Sequence, residues 1–340
     1  MRAAVVSSFK TPPRYEEFAD PAPAGDQEMV IDVIAAGLHP RVRSQADGSH
    51  YTSTGELPLV PGIDGVGRGA DGFLRYFVLP DTRMGSMAER TVIDVRRSII
   101  LPEDSDPIAV AAAMNPAMSS WIGLRRRVQF QSGQNVLVLG ATGNAGRMAV
   151  QIAKLFGANQ VIAAGRDAER LTGLAGLGAS DTVQLTGDAE ATARRLGQAA
   201  ADVDMVIDYL WGEPTTTAMV AVVTHRADNG KPLTWIGIGS VAGPTAHIPS
   251  AALRATRLQI VGSGQGSVST RDILAELPGL AHEITKGTFH IDARPTPLAQ
   301  VQGAWADAAH TTQRIVLTPV VASLWPCRVP SEGGRRDLTS

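Results

Sequence analysis

The most informative hydrophobic pattern lies near the middle of the chain. Residues 136–139 are all apolar, which predicts a buried parallel strand, and a glycine-rich turn follows at residues 140–146. Apolar positions then recur at three- and four-residue spacing over residues 148–156, which predicts an amphipathic helix. Another apolar segment, residues 160–164, follows at the crossover distance of a βαβ unit. The pattern predicts strand, turn, helix and parallel strand in this order.

Further apolar segments continue this alternation of strand and helix. They are residues 182–185, 203–208, 233–237 and 258–261. Six strands with helices between them predict an α/β fold with a complete doubly wound sheet, the Rossmann architecture.

The chain on either side of this region has a different pattern. Short alternating segments separated by Pro and Gly predict a small, irregular β-barrel; they are residues 3–6, 29–35, 75–79 and 89–95. We also predict a helix over 107–124 that breaks near Asn115-Pro116, helices over 269–286 and 298–309, and a final strand over 314–317. The barrel therefore takes material from both ends of the chain.

These elements predict two domains and a tail. We assign residues 1–119 and 267–319 to the barrel domain and residues 120–266 to an inserted Rossmann domain. Residues 320–340 are rich in Pro, Gly and charge, and we assign this tail no function.

Composition excludes several classes of protein. The 340 residues carry a net charge of −2 with both signs mixed, so no basic patch predicts a nucleic-acid partner. The sequence has no continuous apolar stretch of about 18 residues, so we predict no membrane span. The first ten residues lack the apolar core of a signal peptide. The single Cys327 excludes an internal disulfide and a multi-cysteine zinc site. We expect a cytoplasmic protein.

The turn after residue 139 carries the candidate chemistry. Its pattern is Ala141-x-Gly143-x-x-Gly146, preceded by Gly140. Residues without side chains let the backbone pass close to a pyrophosphate while the helix N-terminus offers free N–H groups to the anion. We predict that the dinucleotide contacts the whole turn: Ala141, Thr142, Gly143, Asn144, Ala145 and Gly146.

The end of the next strand favours NADPH over NADH. NAD-binding units place an Asp or Glu there, whereas this chain has Gly165-Arg166, with Arg170 one turn later. Gly165 leaves room, and the guanidinium of Arg166 can bind a 2′-phosphate in a two-pronged contact. We predict that Gly165, Arg166 and Arg170 all contact the cofactor. Asp167 fits a helix N-cap instead. The alternative is that Arg166 is an ordinary solvated loop arginine.

Five segments together resemble the medium-chain dehydrogenase/reductase superfamily. They are residues 35–40 (AAGLHP), 60–67 (VPGIDGVG), 85–89 (GSMAE), 141–146 and 314–317 (RIVL). The resemblance implies a GroES-like barrel with an inserted Rossmann domain.

The resemblance also bears on metal binding. The catalytic zinc ligands of the superfamily's alcohol dehydrogenases match His39, Ile63 and Asn115 here, and a set with an isoleucine and an asparagine is a poor zinc site. The four-cysteine structural lobe is absent as well. We therefore predict no metal and a likeness to the zinc-independent quinone oxidoreductase branch.

Four residues are candidates for catalysis. His39 stands at the former metal position, where it can donate a proton or hydrogen bond near neutral pH, unless it only packs at the turn. Tyr51 lies on a segment expected to cover the cleft and is either an acid, an aromatic shelf or loop filler. The resemblance places Asp64 and Asn115 near the vanished metal site, although Asp64 can simply brace its turn.

Further cofactor contacts are expected at the junction with the Rossmann domain and at strand ends, where ligands bind in open parallel sheets. The resemblance places Ser119 near the nicotinamide ribose. The remaining candidates are Tyr209 after the fourth strand, Gly239 and Ser240 after the fifth, and Gly264 after the sixth.

The leading hypothesis is an NADPH-dependent, zinc-independent reductase of a small electrophile: a quinone, an enone or a related activated carbonyl. An enoyl-thioester reductase and a non-catalytic NADPH-binding sensor are the alternatives. The resemblance also implies a homodimer that pairs through the sixth strand of the Rossmann sheet, residues 258–261.

Overall fold

A computed structural model describes residues 1–50, 52–264 and 266–319. The strands of these residues are β1 (Arg2–Val5), β2 (Arg14–Glu17), β3 (Glu28–Gly37), β4 (Asp64–Gly69), β5 (Leu74–Val78), β6 (Arg90–Asp94), β7 (Ser98–Ile100), β8 (Val136–Leu139), β9 (Val161–Gly165), β10 (Asp181–Gln184), β11 (Met205–Asp208), β12 (Leu233–Gly237), β13 (Leu258–Gly262), β14 (Ala293–Pro297) and β15 (Arg314–Thr318). The helices are α1 (Pro40–Ala46), α2 (Pro107–Ile122), α3 (Asn144–Leu155), α4 (Ala168–Thr172), α5 (Ala189–Ala199), α6 (Gly212–His225), α7 (Ser250–Ala255), α8 (Thr270–Thr285) and α9 (Val301–Asp307).

The predicted doubly wound sheet is confirmed. Its six strands are all parallel and lie in the order β10-β9-β8-β11-β12-β13, so that the strand order reverses between β8 and β11. Every side chain of Val136–Leu139 is fully buried, because helices cover both faces of the central strand. A continuous apolar run is the sequence signature of such a strand, which explains why it was predicted to the residue.

The barrel forms around β3, the longest strand. A seven-stranded sheet runs β14-β15-β3-β4-β5-β7, and β6 also pairs with β3. β15 returns from the far end of the chain and pairs with β3 at Val316–Gly37 and Leu317–Ala36. The barrel therefore takes strands from both ends of the chain, as its sequence pattern predicted.

The predicted break in the helix near Asn115-Pro116 is wrong. α2 continues through Pro116 to Ile122 and is followed by a π-helical turn over Gly123–Arg127. A proline removes one backbone hydrogen bond, but α2 buries Met114, Ala117 and most of its other apolar residues, and this burial outweighs the local cost. The predicted domain boundary at residue 119 falls inside this continuous helix, and the domain limits stay a prediction.

The predicted helix cap at Asp167 is present, and Ser269 caps α8 in the same way. The Asp167 carboxylate accepts a hydrogen bond from the backbone N–H of Arg170, and the Ser269 hydroxyl accepts one from the N–H of Asp272. Within the ranges given above, no helix is long and apolar enough to cross a membrane.

Candidate active site

The glycine-rich turn connects β8 to α3 at the carboxyl edge of the Rossmann sheet. Gly140 has φ +83°, a conformation that suits glycine, and Gly143 is the N-cap of α3 without any side-chain cap. A Cβ on Gly146 would lie 2.3 Å from the carbonyl oxygen of Gly140, so a side chain there would push the helix away from the strand. Because no side chain of the described residues caps α3, its first N–H groups can face an anion at this edge.

The packing at the end of β9 explains why residue 165 is a glycine. A Cβ there would lie 2.7 Å from Cγ2 of Thr142, so the glycine lets the turn pack against β9. The Arg166 side chain that follows is exposed and makes no ion pair with the described residues. Arg170, in contrast, pairs through Nε with the Asp167 carboxylate at 3.1 Å. Of the two arginines, Arg166 is the one whose guanidinium is uncommitted.

Ser119 and Tyr209 meet where α2 passes the end of β11. The Ser119 hydroxyl donates to the carbonyl oxygen of Pro116 at 2.8 Å and accepts from the Tyr209 hydroxyl at 2.9 Å. Burial raises the pKa of Tyr209 to about 12, although hydrogen bonds with Ser119 and Ser120 lower it. Tyr209 therefore keeps its proton and acts as a hydrogen-bond donor that positions Ser119.

The other predicted strand-end residues lie on the same edge. A Cβ on Gly239 would meet the carbonyl oxygen of Tyr209 at 2.6 Å, so the loop after β12 lies close to the loop after β11. Ser240 and Gly264 are exposed, and the Gly264 N–H donates to the Ser267 hydroxyl at 2.8 Å.

Asp208, at the end of β11, was not among the predicted site residues. One of its carboxylate oxygens accepts the backbone N–H groups of Leu210 and Trp211, at 2.8 and 3.1 Å. The other accepts the Thr215 hydroxyl and the Trp235 indole N–H, at 2.6 and 2.9 Å. Four donors on one fully buried carboxylate hold the loop after β11 in a single shape. An acidic residue directly after an apolar strand was the sequence signal.

The barrel places His39 and Asp64 together. His39 Nε2 and Asp64 Oδ1 are 2.7 Å apart, and the Tyr76 hydroxyl donates to Asp64 Oδ2 at 2.7 Å. His39 and Asp64 are each only 2 % exposed, and Tyr76 is fully buried. Tyr76 was not among the predicted site residues. It lies on β5, which pairs with β4 in the register Asp64–Val78 and Val66–Tyr76, so Asp64 and Tyr76 lie on the same face of the sheet.

Arg314 connects this cluster to the nucleotide-binding edge. It is buried, and its Nη1 donates to the carbonyl oxygen of Leu38 at 2.9 Å. It also lines a small cavity of about 20 Å³ together with Asn144 and Arg147 of α3. The cluster beside α1 and the N-terminal turn of α3 are therefore neighbours.

Both members of the buried pair are driven toward their neutral forms. Burial lowers the pKa of His39 well below its usual range, and the positive charges of Arg314 and Arg41 lower it further. Burial raises the pKa of Asp64 to about 7, although the hydrogen bond from Tyr76 and the charge of Arg314 lower it. We therefore describe the contact as a neutral imidazole hydrogen-bonded to a carboxyl group, rather than as an ion pair.

Comparison with known proteins gives a relative along the whole chain. The probable NADPH-dependent quinone reductase tdiC of Emericella nidulans is 31% identical over 362 residues, which cover 94% of this chain and 100% of the relative. The chain belongs to the quinone oxidoreductase-like branch of the medium-chain dehydrogenase/reductase superfamily.

A family model and two solved structures agree with this assignment. Residues 145–281 match the family model of the zinc-binding dehydrogenases, a range that excludes His39, Ile63 and Asn115. A probable oxidoreductase from Mycobacterium abscessus has a TM-score of 0.77 and 25% identity, covering 94% of this chain and 99% of the other. The quinone oxidoreductase of Escherichia coli in complex with NADPH has the same fold, with a TM-score of 0.77, 19% identity and the same coverage.

Within this quinone oxidoreductase-like fold, the surroundings of His39 favour the alternative that it packs at the turn, and its role as an acid near neutral pH stays a prediction. Its Nε2 is bonded to Asp64, its Nδ1 is buried without a partner among the described residues, and its lowered pKa keeps the ring neutral. The hydrogen bonds of Asp64 with His39 and Tyr76 fit the alternative that Asp64 braces its turn, and its place in catalysis stays a prediction. Asn115 lies in the middle of α2, and the predicted Tyr51 lies outside the described residues.

The buried pair predicts opposite pH dependences for two variants. In the unfolded chain His39 ionises near 6.5 and Asp64 near 3.8, whereas in the fold His39 stays neutral and Asp64 ionises near 7. Between about pH 4 and 6.5 each state holds one proton on the pair, so the pair contributes no net pH slope to the free energy of unfolding. His39→Gln leaves the raised pKa of Asp64, so stability should fall as pH rises to about 7. Asp64→Asn leaves the lowered pKa of His39, so stability should rise until about pH 6.5.

Urea denaturation at several pH values measures both slopes, each up to about 1.4 kcal/mol per pH unit. The double variant His39→Gln/Asp64→Asn supplies the background slope of all other groups. Slopes of the same sign in the two single variants, after this background is subtracted, would contradict the neutral pair.

Proposed function

We propose that this protein is a zinc-independent reductase that transfers hydride from NADPH to a quinone or a similarly activated small electrophile. The oxidoreductase class and the cofactor agree with the family, whose full-length relative is named as an NADPH-dependent quinone reductase. The observation that carries the cofactor assignment here is the free N-terminus of α3 behind the Gly140–Gly146 turn, with the exposed Arg166 one strand away.

We assign the steps of cofactor binding to specific groups, on the positions of these groups at the carboxyl edge of the sheet. The first N–H groups of α3 would bind the pyrophosphate, and Arg166 would bind the 2′-phosphate. Ser119, held in place by Tyr209, lies at the junction expected to face the nicotinamide ribose. Bound NADPH supplies the hydride, that is, two electrons and one proton equivalent, to the acceptor.

The side chains near the site favour a hydride acceptor that takes its proton from water. His39 is neutral and enclosed, and Tyr209 holds its proton to about pH 12, so neither is poised as an acid. A quinone becomes an oxyanion that water protonates readily, whereas an unactivated enone needs a placed acid. This contrast favours quinones within the predicted substrate class.

Independence from zinc is supported by the donor set. Ile63 has no ligating atom, and His39 Nε2 is already bonded to Asp64. Across the described residues, no three His, Cys, Asp or Glu side chains are grouped to hold a metal ion. A catalytic zinc site normally needs three protein ligands.

NADPH oxidation followed by absorbance tests the proposed function. Protein dialysed against a chelator should reduce at least one quinone at the rate of undialysed protein, and faster than it reduces enoyl thioesters or simple enones. Turnover of enoyl thioesters alone would assign the other reductase class, and turnover restored only by zinc would refute metal independence. Tight NADPH binding without turnover of any acceptor would identify a non-catalytic binding protein.

Cofactor choice is tested by exchanging one arginine at a time. Arg166→Ala should weaken NADPH binding by about 1.5–3 kcal/mol, the scale of one charged hydrogen-bonded contact, and leave NADH binding nearly unchanged. Arg170→Ala is the matched control, because Arg170 is held by Asp167, and it should change neither affinity much. Calorimetric titration gives both constants; equal losses for the two cofactors in Arg166→Ala would make Arg166 a bystander.

We further propose a homodimer formed through β13. This strand is the edge of the six-stranded sheet and pairs only with β12 among the described strands, so its outer side is free to pair with a second copy. Ile260→Pro should therefore give monomers in light scattering. Thr182→Pro, on the opposite edge strand β10, should leave the dimer intact. A wild-type monomer at micromolar concentration, or a dimer unaffected by Ile260→Pro, would contradict this interface.

A further inference from the structure

Trp211 has a backbone conformation that tryptophan rarely adopts. Its φ is 54° and its ψ is −167°, a region populated almost entirely by glycine. It is the one non-glycine residue with positive φ within residues 1–50, 52–264 and 266–319. The next residue, Gly212, also has positive φ, 68°.

The surroundings hold this conformation in place. Asp208 accepts the N–H of Trp211 at 3.1 Å, and the Leu210 carbonyl oxygen accepts the N–H of Ala242 at 2.8 Å. A Cβ on Gly212 would lie 2.8 Å from the carbonyl oxygen of Ala242, so the two loops are in direct backbone contact. Strain of this kind persists only where neighbouring bonds over-determine the backbone, and it concentrates at functional sites.

Core packing does not explain why a tryptophan occupies this position. The indole is partly exposed and belongs to none of the three hydrophobic clusters of the described residues. Its contact is with the end of β12, where a Cβ on Gly237 would lie 3.3 Å from Cζ3 of the ring. The ring therefore lies along the carboxyl edge of the sheet, where dinucleotides bind.

The topology indicates which half of the dinucleotide is near the ring. Strands β8, β9 and β10 form one mononucleotide-binding half, with Arg166 at its edge, and strands β11, β12 and β13 form the other. If Arg166 marks the adenosine 2′-phosphate, the nicotinamide half faces the ends of β11, β12 and β13. Trp211 follows β11, and its ring lies beside the end of β12. The last residues of β12 and β13 are Gly237 and Gly262, so neither strand end carries a side chain.

We propose that Trp211 is a specificity-determining residue whose indole forms a wall of the cleft for the nicotinamide half of bound NADPH. This inference rests on the proposed function. The aromatic ring offers a flat face to the nicotinamide and its ribose, and the strained backbone is retained because it aims the ring along the sheet edge.

Calorimetric titration with two ligands tests this assignment. The ligands are NADPH and 2′-phosphoadenosine 5′-diphosphate, which keeps the adenosine half and the pyrophosphate but has neither the nicotinamide nor its ribose. Trp211→Gly should weaken NADPH binding by roughly 3- to 10-fold, the scale of one aromatic contact, and change binding of the second ligand by less than about 2-fold. Trp211→Phe keeps an aromatic face and should retain most of the NADPH affinity.

Thermal unfolding of the same variants separates this role from packing. Because glycine tolerates the backbone conformation, Trp211→Gly should unfold at the wild-type temperature or above it. Equal losses for the two ligands, or unchanged NADPH affinity together with a lower Tm, would overturn the assignment. A wild-type protein that binds neither ligand would refute the proposed function itself, which is a separate outcome.

Discussion

The contact between Gly146 and the carbonyl oxygen of Gly140 constrains the whole nucleotide-binding edge. A Cβ at residue 146 would lie 2.3 Å from that oxygen and 2.6 Å from Cα of Ala141, so α3 can start this close to β8 only because residue 146 is glycine. The N-terminus of the helix then lies directly at the end of the central strand. The packing of Thr142 against Gly165 follows from the same placement, and so does the position of Arg166 beyond it.

Two buried aspartates organise the rest of the site in different ways. Asp208 receives four hydrogen-bond donors and shapes the loop that carries Tyr209 and Trp211. Asp64 receives the Tyr76 hydroxyl and shares its other oxygen with His39, and its pKa is raised to about 7 because burial is incompletely compensated. Asp208 stabilises a strained loop, and Asp64 connects the His39 imidazole to the Tyr76 hydroxyl inside the barrel.

The reliability of the sequence-based predictions follows how local each signal is. The strands of the Rossmann sheet are continuous apolar runs between turn residues, and the caps at Asp167 and Ser269 depend on neighbours three residues away, so a short window suffices. The continuity of α2 through Pro116 depends on burial against other elements, which no local pattern reports. The enclosure of His39 depends on Asp64, Tyr76 and Arg314, which lie 25 to 275 positions further along the chain. Of these contacts, only the one between Asp64 and Tyr76 could have been predicted from the sequence, because strand alternation puts both residues on one face.

The central claim is that the close approach of α3 to β8 creates the cofactor site, and one titration tests it directly. NADPH affinity is measured for wild type, Gly146→Ala and Gly303→Ala. Gly303, in α9, is the matched control because a Cβ there meets nothing within 4 Å. We expect Gly146→Ala to weaken NADPH binding by at least about 10-fold, since displacing the helix costs about 1–3 kcal/mol and misplaces its N–H groups. Gly303→Ala should match wild type. A Gly146→Ala protein that binds NADPH as tightly as Gly303→Ala would contradict the account.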